Sequence, residues 1–194
     1  MRLAPTARYY WDSSTCTQAA RAGHLPVLQF ARAGGCEWGA ITFAAAAAGG
    51  HLDTMKWLLA NGCPWNTAAA NSAAGHGHVE VLEWLIAQSC PCTWAACTAA
   101  AAKGHLHVLA HLHERGFAQA TNDKWVLAAA ARNGHVAIIR WLRERDCPMD
   151  ASACTAAAAG GQLEALQCLR GMAAPWDMAT CVGAAQGGHL ALLQ

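Results

Sequence analysis

The stretch that decides the fold runs from Ala47 to Leu58 and reads AAGGHLDTMKWL. It joins an alanine-rich segment to an amphipathic one through a Gly-His pair. The glycine of that pair recurs every 27 residues, with one spacing of 30, at Gly23, Gly50, Gly77, Gly104, Gly134, Gly161 and Gly188. The residue after it is histidine in six copies and Gln162 in the other. A fixed period of this kind is the signature of a stacked-repeat protein.

Each unit opens with a predicted helix that ends at this anchor glycine. Eleven residues before the glycine stands a residue type that favours helix N-caps, namely Asp12, Gly39, Asn66, Thr93, Asp123, Asp150 and Asp177. Glycine suits the left-handed position that follows a helix, so this first helix spans about ten residues. The seventh and eighth positions after the cap are alanine in all seven units, which predicts a face of small side chains where neighbouring units approach closely.

A second helix is predicted after the glycine. Apolar residues stand two, five and eight residues after the anchor glycine, as in Leu52, Met55 and Leu58 after Gly50. Mostly polar residues stand three and six residues after it. A loop such as Gly62-Cys63-Pro64-Trp65 then leads to the next cap. The longer spacing places its extra residues in the loop 116–122. Because two short helices cannot bury both faces alone, the units must stack, which predicts an all-α solenoid.

The composition excludes several functional classes. With 13 Lys+Arg against 12 Asp+Glu among 194 residues, the net charge of +1 offers no footprint for nucleic acid or an anionic membrane. The apolar fraction of 55% argues against disorder. Residues 1–12 hold two arginines and no apolar core, so we find no secretory signal, and no apolar run approaches the roughly 20 residues that span a bilayer. We expect a soluble intracellular protein, in the cytoplasm, without a cofactor.

The run from Ala47 to Leu58, with its Gly-His-Leu centre and Trp-Leu end, resembles the centre of ankyrin repeats. Ankyrin units typically take about 33 residues and include a β-turn finger. The present units are shorter and lack the Thr-Pro-Leu-His entry motif, so they resemble a compact ankyrin-like variety. The resemblance implies an ankyrin-like helical-repeat solenoid of about seven helix-turn-helix units without β-hairpin fingers, forming a single array over residues 1–194 with an incomplete last unit. It also implies a module that binds partner proteins.

Cysteine and histidine suggest an alternative, a metal- or redox-responsive array. Cysteines fall into a loop column of Cys36, Cys63, Cys90 and Cys147 and a first-helix column of Cys16, Cys97, Cys154 and Cys181. Equivalent residues of neighbouring ankyrin-like units lie about 10 Å apart, which is too far for shared zinc ligands or a disulfide. We therefore interpret both columns as buried thiols. By the same argument, each Gly-His histidine satisfies backbone groups at its turn and links neighbouring units.

Two local groupings remain. Cys90-Pro91-Cys92 is the one close cysteine pair, and no second pair lies at a zinc-like spacing. His107, His111 and His113 share one second helix, which we interpret as solvated because no carboxylate lies nearby in the sequence.

Tryptophan is the most informative residue for binding. Trp11, Trp38, Trp65 and Trp176 each precede a cap, where an apolar residue packs on the first helix. Tryptophans on the border of the second helix serve either inter-repeat packing or partner binding. Phosphate-loop, metalloprotease and serine-hydrolase motifs are absent from the sequence, so we expect no enzyme. The candidate partner surface comprises Lys56, Trp57, Glu80, Glu83, Trp84, Phe117, Arg140 and Trp141.

A second functional hypothesis is a structural segment of a larger polypeptide or assembly with no separable ligand. The chain ends at Gln194, six residues into its last second helix. Leu190, Leu192 and Leu193 would then lack part of their packing. We expect self-association through uncapped ends, or fraying at the C-terminus.

Overall fold

The computed structural model describes residues 12–90 and 92–192, and these contain fourteen α-helices, one short 3-10 helix and no β-strand. We number the units 1 to 7 by their anchor glycines. The first helices are α1 Ser13–Arg21, α3 Ala40–Ala48, α5 Ala68–Gly75, α7 Trp94–Ala102, α10 Lys124–Arg132, α12 Ala151–Ala159 and α14 Met178–Gln186. The second helices are α2 Leu25–Ala33, α4 Leu52–Ala60, α6 Val79–Ala87, α8 Leu106–Glu114, α11 Val136–Arg143 and α13 Leu163–Gly171. Unit 7 has the 3-10 helix Leu190–Leu192 instead, and α9, Ala118–Thr121, lies in the insertion. The predicted all-α solenoid without fingers is confirmed.

Helix starts follow the predicted caps in six of the seven units. The Asp123 carboxylate, for example, accepts a hydrogen bond from the Trp125 amide at 2.8 Å. Unit 3 differs, because α5 begins after Thr67 instead of Asn66. Asn66 Oδ1 already accepts from the Ala68 amide at 2.9 Å, and this local turn delays the helix by one residue.

The first helices end just before their anchor glycines, as predicted. All seven have positive φ, and Gly50, with φ of 75°, is representative. The next amide, of His51, bonds back to the Ala46 carbonyl at 3.1 Å, and the Gly50 amide bonds to Ala47 at 3.2 Å. These two bonds form the Schellman motif, which closes a helix with a left-handed residue.

Alanine allows the first helices to pack side by side in one row. The order of contact is α1, α3, α5, α7, α10, α12 and α14, and each second helix packs on its own first helix. The paired alanines predicted to face inward are buried, with the exception of Ala185 in α14. Leucines and isoleucines of the second helices complete a hydrophobic core that runs continuously from unit 1 to unit 6.

The Gly-His histidines link neighbouring units, as predicted. His51 Nε2 lies 3.0 Å from the carbonyl oxygen of Arg21, and His78 Nε2 lies 2.9 Å from that of Ala48. The same bond joins His135 to Ala102 at 3.1 Å and His189 to Ala159 at 3.3 Å. Each acceptor is the last residue of the preceding first helix. The imidazole therefore satisfies a carbonyl that a helix end leaves without a partner.

The insertion in unit 4 is more ordered than the predicted loop. Its residues 118–121 form α9, which packs on α7 and α8. The buried Thr121 hydroxyl lies 3.0 Å from His113 Nδ1, and the Asn122 amide donates to the Arg145 carbonyl at 2.9 Å. These two bonds attach the insertion to α8 and to unit 5, so the prediction of a loop over residues 116–122 was wrong in part.

The histidine links predict a dependence of stability on pH. Burial, followed by the neighbouring His107, lowers the pKa of His105 below its ordinary value of 6.5. The folded protein then binds fewer protons than the unfolded chain, so stability is complete above about pH 6.5 and falls as the pH drops through the folded-state pKa. We expect His105→Gln to reduce this pH dependence, because Gln162 already fills the equivalent position with an amide that does not titrate.

Urea unfolding between neutral and mildly acidic pH measures the effect. His24→Gln, at an exposed histidine, is the control. An unchanged pH dependence in His105→Gln would show that this histidine does not contribute.

Candidate interaction surface

The tryptophans of the predicted partner surface are half-buried and pack against the core. Trp57 meets Trp38 edge to face, with ring centroids 5.5 Å apart. Trp141 lies between the Arg145 guanidinium, 4.0 Å from its ring centroid, and the His113 ring at 5.5 Å. These contacts agree with inter-repeat packing, one of the two roles that the sequence left open for the border column.

The charged residues of that predicted surface are exposed. Lys56, Glu80, Glu83 and Arg140 all face solvent on second helices. Lys56 makes only a loose pair with a neighbouring carboxylate at 3.9 Å. Phe117, by contrast, is half-buried against the core. The structure therefore separates the predicted set into exposed charges and packed aromatic rings.

A different set of apolar side chains is exposed on the first helices. Trp94 and Trp125 are 56% and 54% exposed, and Ile41 is 76% exposed. Met178 and Val182 on α14 are also exposed. All five stand one, two or five positions after their caps, and the stacked row of first helices leaves these side chains open to solvent. The row of first helices thus carries a second, solvent-facing surface that the sequence analysis did not single out.

Trp94 and Trp125 lie at a groove of about 860 Å³ across four consecutive first helices, α7, α10, α12 and α14. We call it the first-helix groove. Its lining is Trp94, Thr98, Trp125, Ala128, Ala129, Arg132, Ser152, Thr155, Ala156, Ala159, Asp177 and Ala179. Small alanine and threonine side chains form the floor of the groove. The two indoles belong to units 4 and 5. Such a volume lies in the range of pockets that accept bulky apolar groups.

The charges at the groove are mostly paired already. The Lys124 ammonium lies 3.3 Å from the Asp150 carboxylate and 5.3 Å from the Trp125 ring centroid. Hydrogen bonds from Ser152 lower the pKa of Asp150, and Asp177 caps α14. Arg132 is exposed, and its guanidinium makes no hydrogen bond or ion pair with another described residue. The groove therefore holds one cation that is free to meet a partner's carboxylate.

A signal for this groove was present in the sequence. One or two positions after the cap, units 1, 3 and 6 carry only alanine, serine or threonine. The other four units carry a bulky apolar residue there, namely Ile41, Trp94, Trp125 and Met178. A bulky residue that interrupts a column of small ones indicates a role outside the repeat. The exposed side of the first helix, however, becomes known only once the packing between units is known.

Cysteine and histidine side chains of the described residues form no cluster with the makeup of a metal centre. Among residues 12–90 and 92–192, no group of three or more His, Cys, Asp or Glu side chains could hold a metal ion. All four cysteines of the loop column are buried, as are Cys16, Cys97 and Cys154. Burial raises the pKa of Cys63 to about 11 and that of Cys97 to about 12, which keeps both thiols protonated at neutral pH.

Three sequence interpretations of these residues need correction or limits. Cys181 is exposed, because no described helix packs on the side of α14 away from α12. His111 has a carboxylate neighbour after all, since stacking brings Glu83 Oε1 of unit 3 to 3.2 Å from its Nε2. Trp11, Pro91 and Leu193 lie outside the described residues.

The geometry defines the class of protein as an all-α helical-repeat solenoid. Two family models, both described as ankyrin repeats, match it over residues 41–86 and 71–153. The crystal structure of the human ASB11 ankyrin repeat domain is similar, with a TM-score of 0.60 and 19% identity over 82% of this chain and 84% of that one. A comparison with curated proteins gave no match. The chain belongs to the ankyrin-repeat family.

Ankyrin repeats generally act as protein–protein interaction modules, and the family is typically non-enzymatic. Within the described residues, no helix is both long enough and apolar enough to cross a membrane.

The difference between half-buried and exposed tryptophans predicts that their substitution by alanine affects stability to different extents. Trp141→Ala removes a half-buried ring from the core and should lower the free energy of unfolding by about 2 kcal/mol. Trp125→Ala removes an exposed ring and should change it by less than about 1 kcal/mol. Chemical denaturation of both variants checks this. Equal losses at the two positions would contradict the assignment of Trp125 to a free surface.

Proposed function

We propose that the protein binds another protein through the first-helix groove, with Trp94 and Trp125 as the anchoring side chains. The observation that carries the proposal is the exposure of two indoles from neighbouring units on a face where units 1, 3 and 6 present only small side chains. Tryptophan is enriched among the few residues that supply most of the energy of protein–protein interfaces. Membership of a family of interaction modules supports the same function.

The partner class follows from the lining of the groove. Its floor of alanine and threonine accepts apolar side chains, and the free guanidinium of Arg132 lies at the same groove. We therefore propose a partner segment that carries a bulky apolar side chain next to an aspartate or glutamate. A buried carboxylate would gain a charge-assisted hydrogen bond from the guanidinium.

Two further parts of the proposal concern the setting. The ten cysteines, all of them free thiols, support an intracellular, cytoplasmic location, because thiols stay reduced there. A net charge of +1 supports a protein partner over nucleic acid.

The rival surface on the second helices remains a proposal of its own. It consists of the exposed Lys56, Glu80, Glu83 and Arg140 together with the half-buried Trp57, Trp84, Trp141 and Phe117. Its charges are accessible, whereas its rings are partly used in packing. A binding experiment with variants on both surfaces discriminates the two.

Selection from a random-peptide display library against the immobilised protein tests the function. We expect enriched peptides to carry a tryptophan, phenylalanine or leucine next to an acidic residue. Binding of a synthetic peptide, followed by fluorescence anisotropy, should weaken at least about tenfold in Trp94→Ala/Trp125→Ala, which corresponds to about 1.4 kcal/mol. Arg132→Gln should weaken peptides with the acidic residue more than their amide counterparts.

Lys56→Ala/Glu80→Ala is the matched control, because both residues are exposed on second helices. Its binding should equal that of the parent protein. Loss of binding in this control, with retention in the tryptophan variant, would overturn the groove and favour the second-helix surface. Failure to enrich any peptide would favour a structural segment without a separable ligand.

A further inference from the structure

Two cysteines from different columns meet in unit 1. Cys16 lies on α1, Cys36 lies in the loop after α2, and their Sγ atoms are 2.7 Å apart. Their exposed fractions are 0% and 1%. No other pair of cysteine thiols in the described residues is hydrogen-bonded. The two sulfurs are therefore placed within reach of a covalent bond, whose length is about 2.05 Å.

The repeat explains why this contact exists. The loop residue is positioned by its amide, which bonds to the second helix at 3.0 Å from Cys36 N to Ala31 O and at 2.9 Å from Cys63 N to Leu58 O. In units 2 and 3 the loop thiol accordingly meets the backbone of the fourth residue after the cap, Phe43 for Cys63 and Ala70 for Cys90. The fourth position and the loop position are thus neighbours in units 1 to 3, and the equivalent amide bond positions the loop residue in units 4 to 6 as well.

Only unit 1 has cysteine at both positions. The partners elsewhere are Phe43 with Cys63, Ala70 with Cys90, Cys97 with Phe117, Leu127 with Cys147, and Cys154 with Ala174. Sequence analysis compared distances within each column and so missed the contact between columns. A zinc role does not fit, because no third ligand joins the pair among the described residues.

We propose that Cys16 and Cys36 form a reversible disulfide that joins α1 to the loop after α2. The oxidant is a low-molecular-weight disulfide such as oxidised glutathione. One cysteine thiolate attacks it to give a mixed disulfide and release one glutathione, and the second cysteine then displaces the other glutathione. The two cysteine thiols together lose two protons and two electrons. The protons and electrons pass to the oxidised glutathione, which leaves as two molecules of reduced glutathione.

The bond would join two residues 20 positions apart and close a segment that contains α2 and the part of α1 after Cys16. Such a cross-link restricts the unfolded chain and so favours the folded unit. Its site lies in unit 1, whereas the first-helix groove spans units 4 to 7. The proposal therefore stands or falls independently of the proposed binding function.

Burial sets the rate of this exchange. Desolvation, with the hydrogen bond to Cys36, raises the pKa of Cys16 to about 12, so little thiolate is present in the folded protein. Oxidation then requires unit 1 to open, and the buried disulfide is afterwards shielded from reductants. In a reducing compartment the pair stays a dithiol until an oxidant is supplied.

Refolding of the full chain from denaturant in oxidised and reduced glutathione buffers tests the proposal. The product is alkylated under denaturing conditions, digested and mapped by mass spectrometry. We expect one cross-linked peptide, Cys16 to Cys36, with the other eight cysteines alkylated. The thermal midpoint should be higher after oxidation, and Cys16→Ala should abolish this difference.

Ala174→Cys supplies a control that does not depend on unit 1, because it creates the same arrangement with Cys154 in unit 6. We expect a second cross-linked peptide in this variant. Alkylation of Cys16 and Cys36 to the same extent as Cys63 and Cys97, or cross-links scattered over all cysteines, would overturn the proposal. A Cys154 cross-link without a Cys16 to Cys36 cross-link would also overturn it.

Discussion

The structure depends on one contact, present at four of the described unit interfaces, between a histidine ring and the end of the preceding first helix. His78 bonds to the Ala48 carbonyl at 2.9 Å, while the alanine pairs beneath let the two helices approach closely. The bond requires glycine at the anchor position of the preceding unit, because a Cβ on Gly50 would lie 2.7 Å from His78 Nδ1. One histidine ring therefore both bonds to the carbonyl that a helix end leaves without a partner and fills the space between two units. Fixed stacking follows, and with it the continuous row of first helices.

Most of the fold could be predicted from the sequence because its determinants are local and repeated. Caps such as Asp150 and the anchor glycines act within one helix, the paired alanines recur at fixed positions of each first helix, and seven copies separate the pattern from chance. The exceptions involve contacts between elements. Asn66 delayed a helix through its own side-chain bond, and residues 118–121 gained a helical turn by docking on α7 and α8.

The candidate site was predicted less well, for a physical reason. Periodicity divides a helix into faces, but it does not say which face a neighbouring unit covers. Trp57 and Trp141 lie on a border that stacking closes, whereas Trp94 and Trp125 lie on a face that stacking leaves open. The pairing of Cys16 with Cys36 was missed for the same reason, since each column was regular by itself and only the three-dimensional unit brings the two together.

A substitution in one unit interface tests the central account most directly. Gly50→Ala adds a Cβ against the His78 ring at φ of 75°, whereas Gly62→Ala adds one at φ of 74° with nothing within 4 Å. Both carry the backbone cost of about 1 kcal/mol, and only the first strikes the inter-unit bond. Amide hydrogen exchange should show lost protection in units 2 and 3 for Gly50→Ala, in unit 2 alone for Gly62→Ala, and none in units 5 and 6 for either. Identical exchange patterns in the two variants would contradict the histidine link as the interaction that holds the array together.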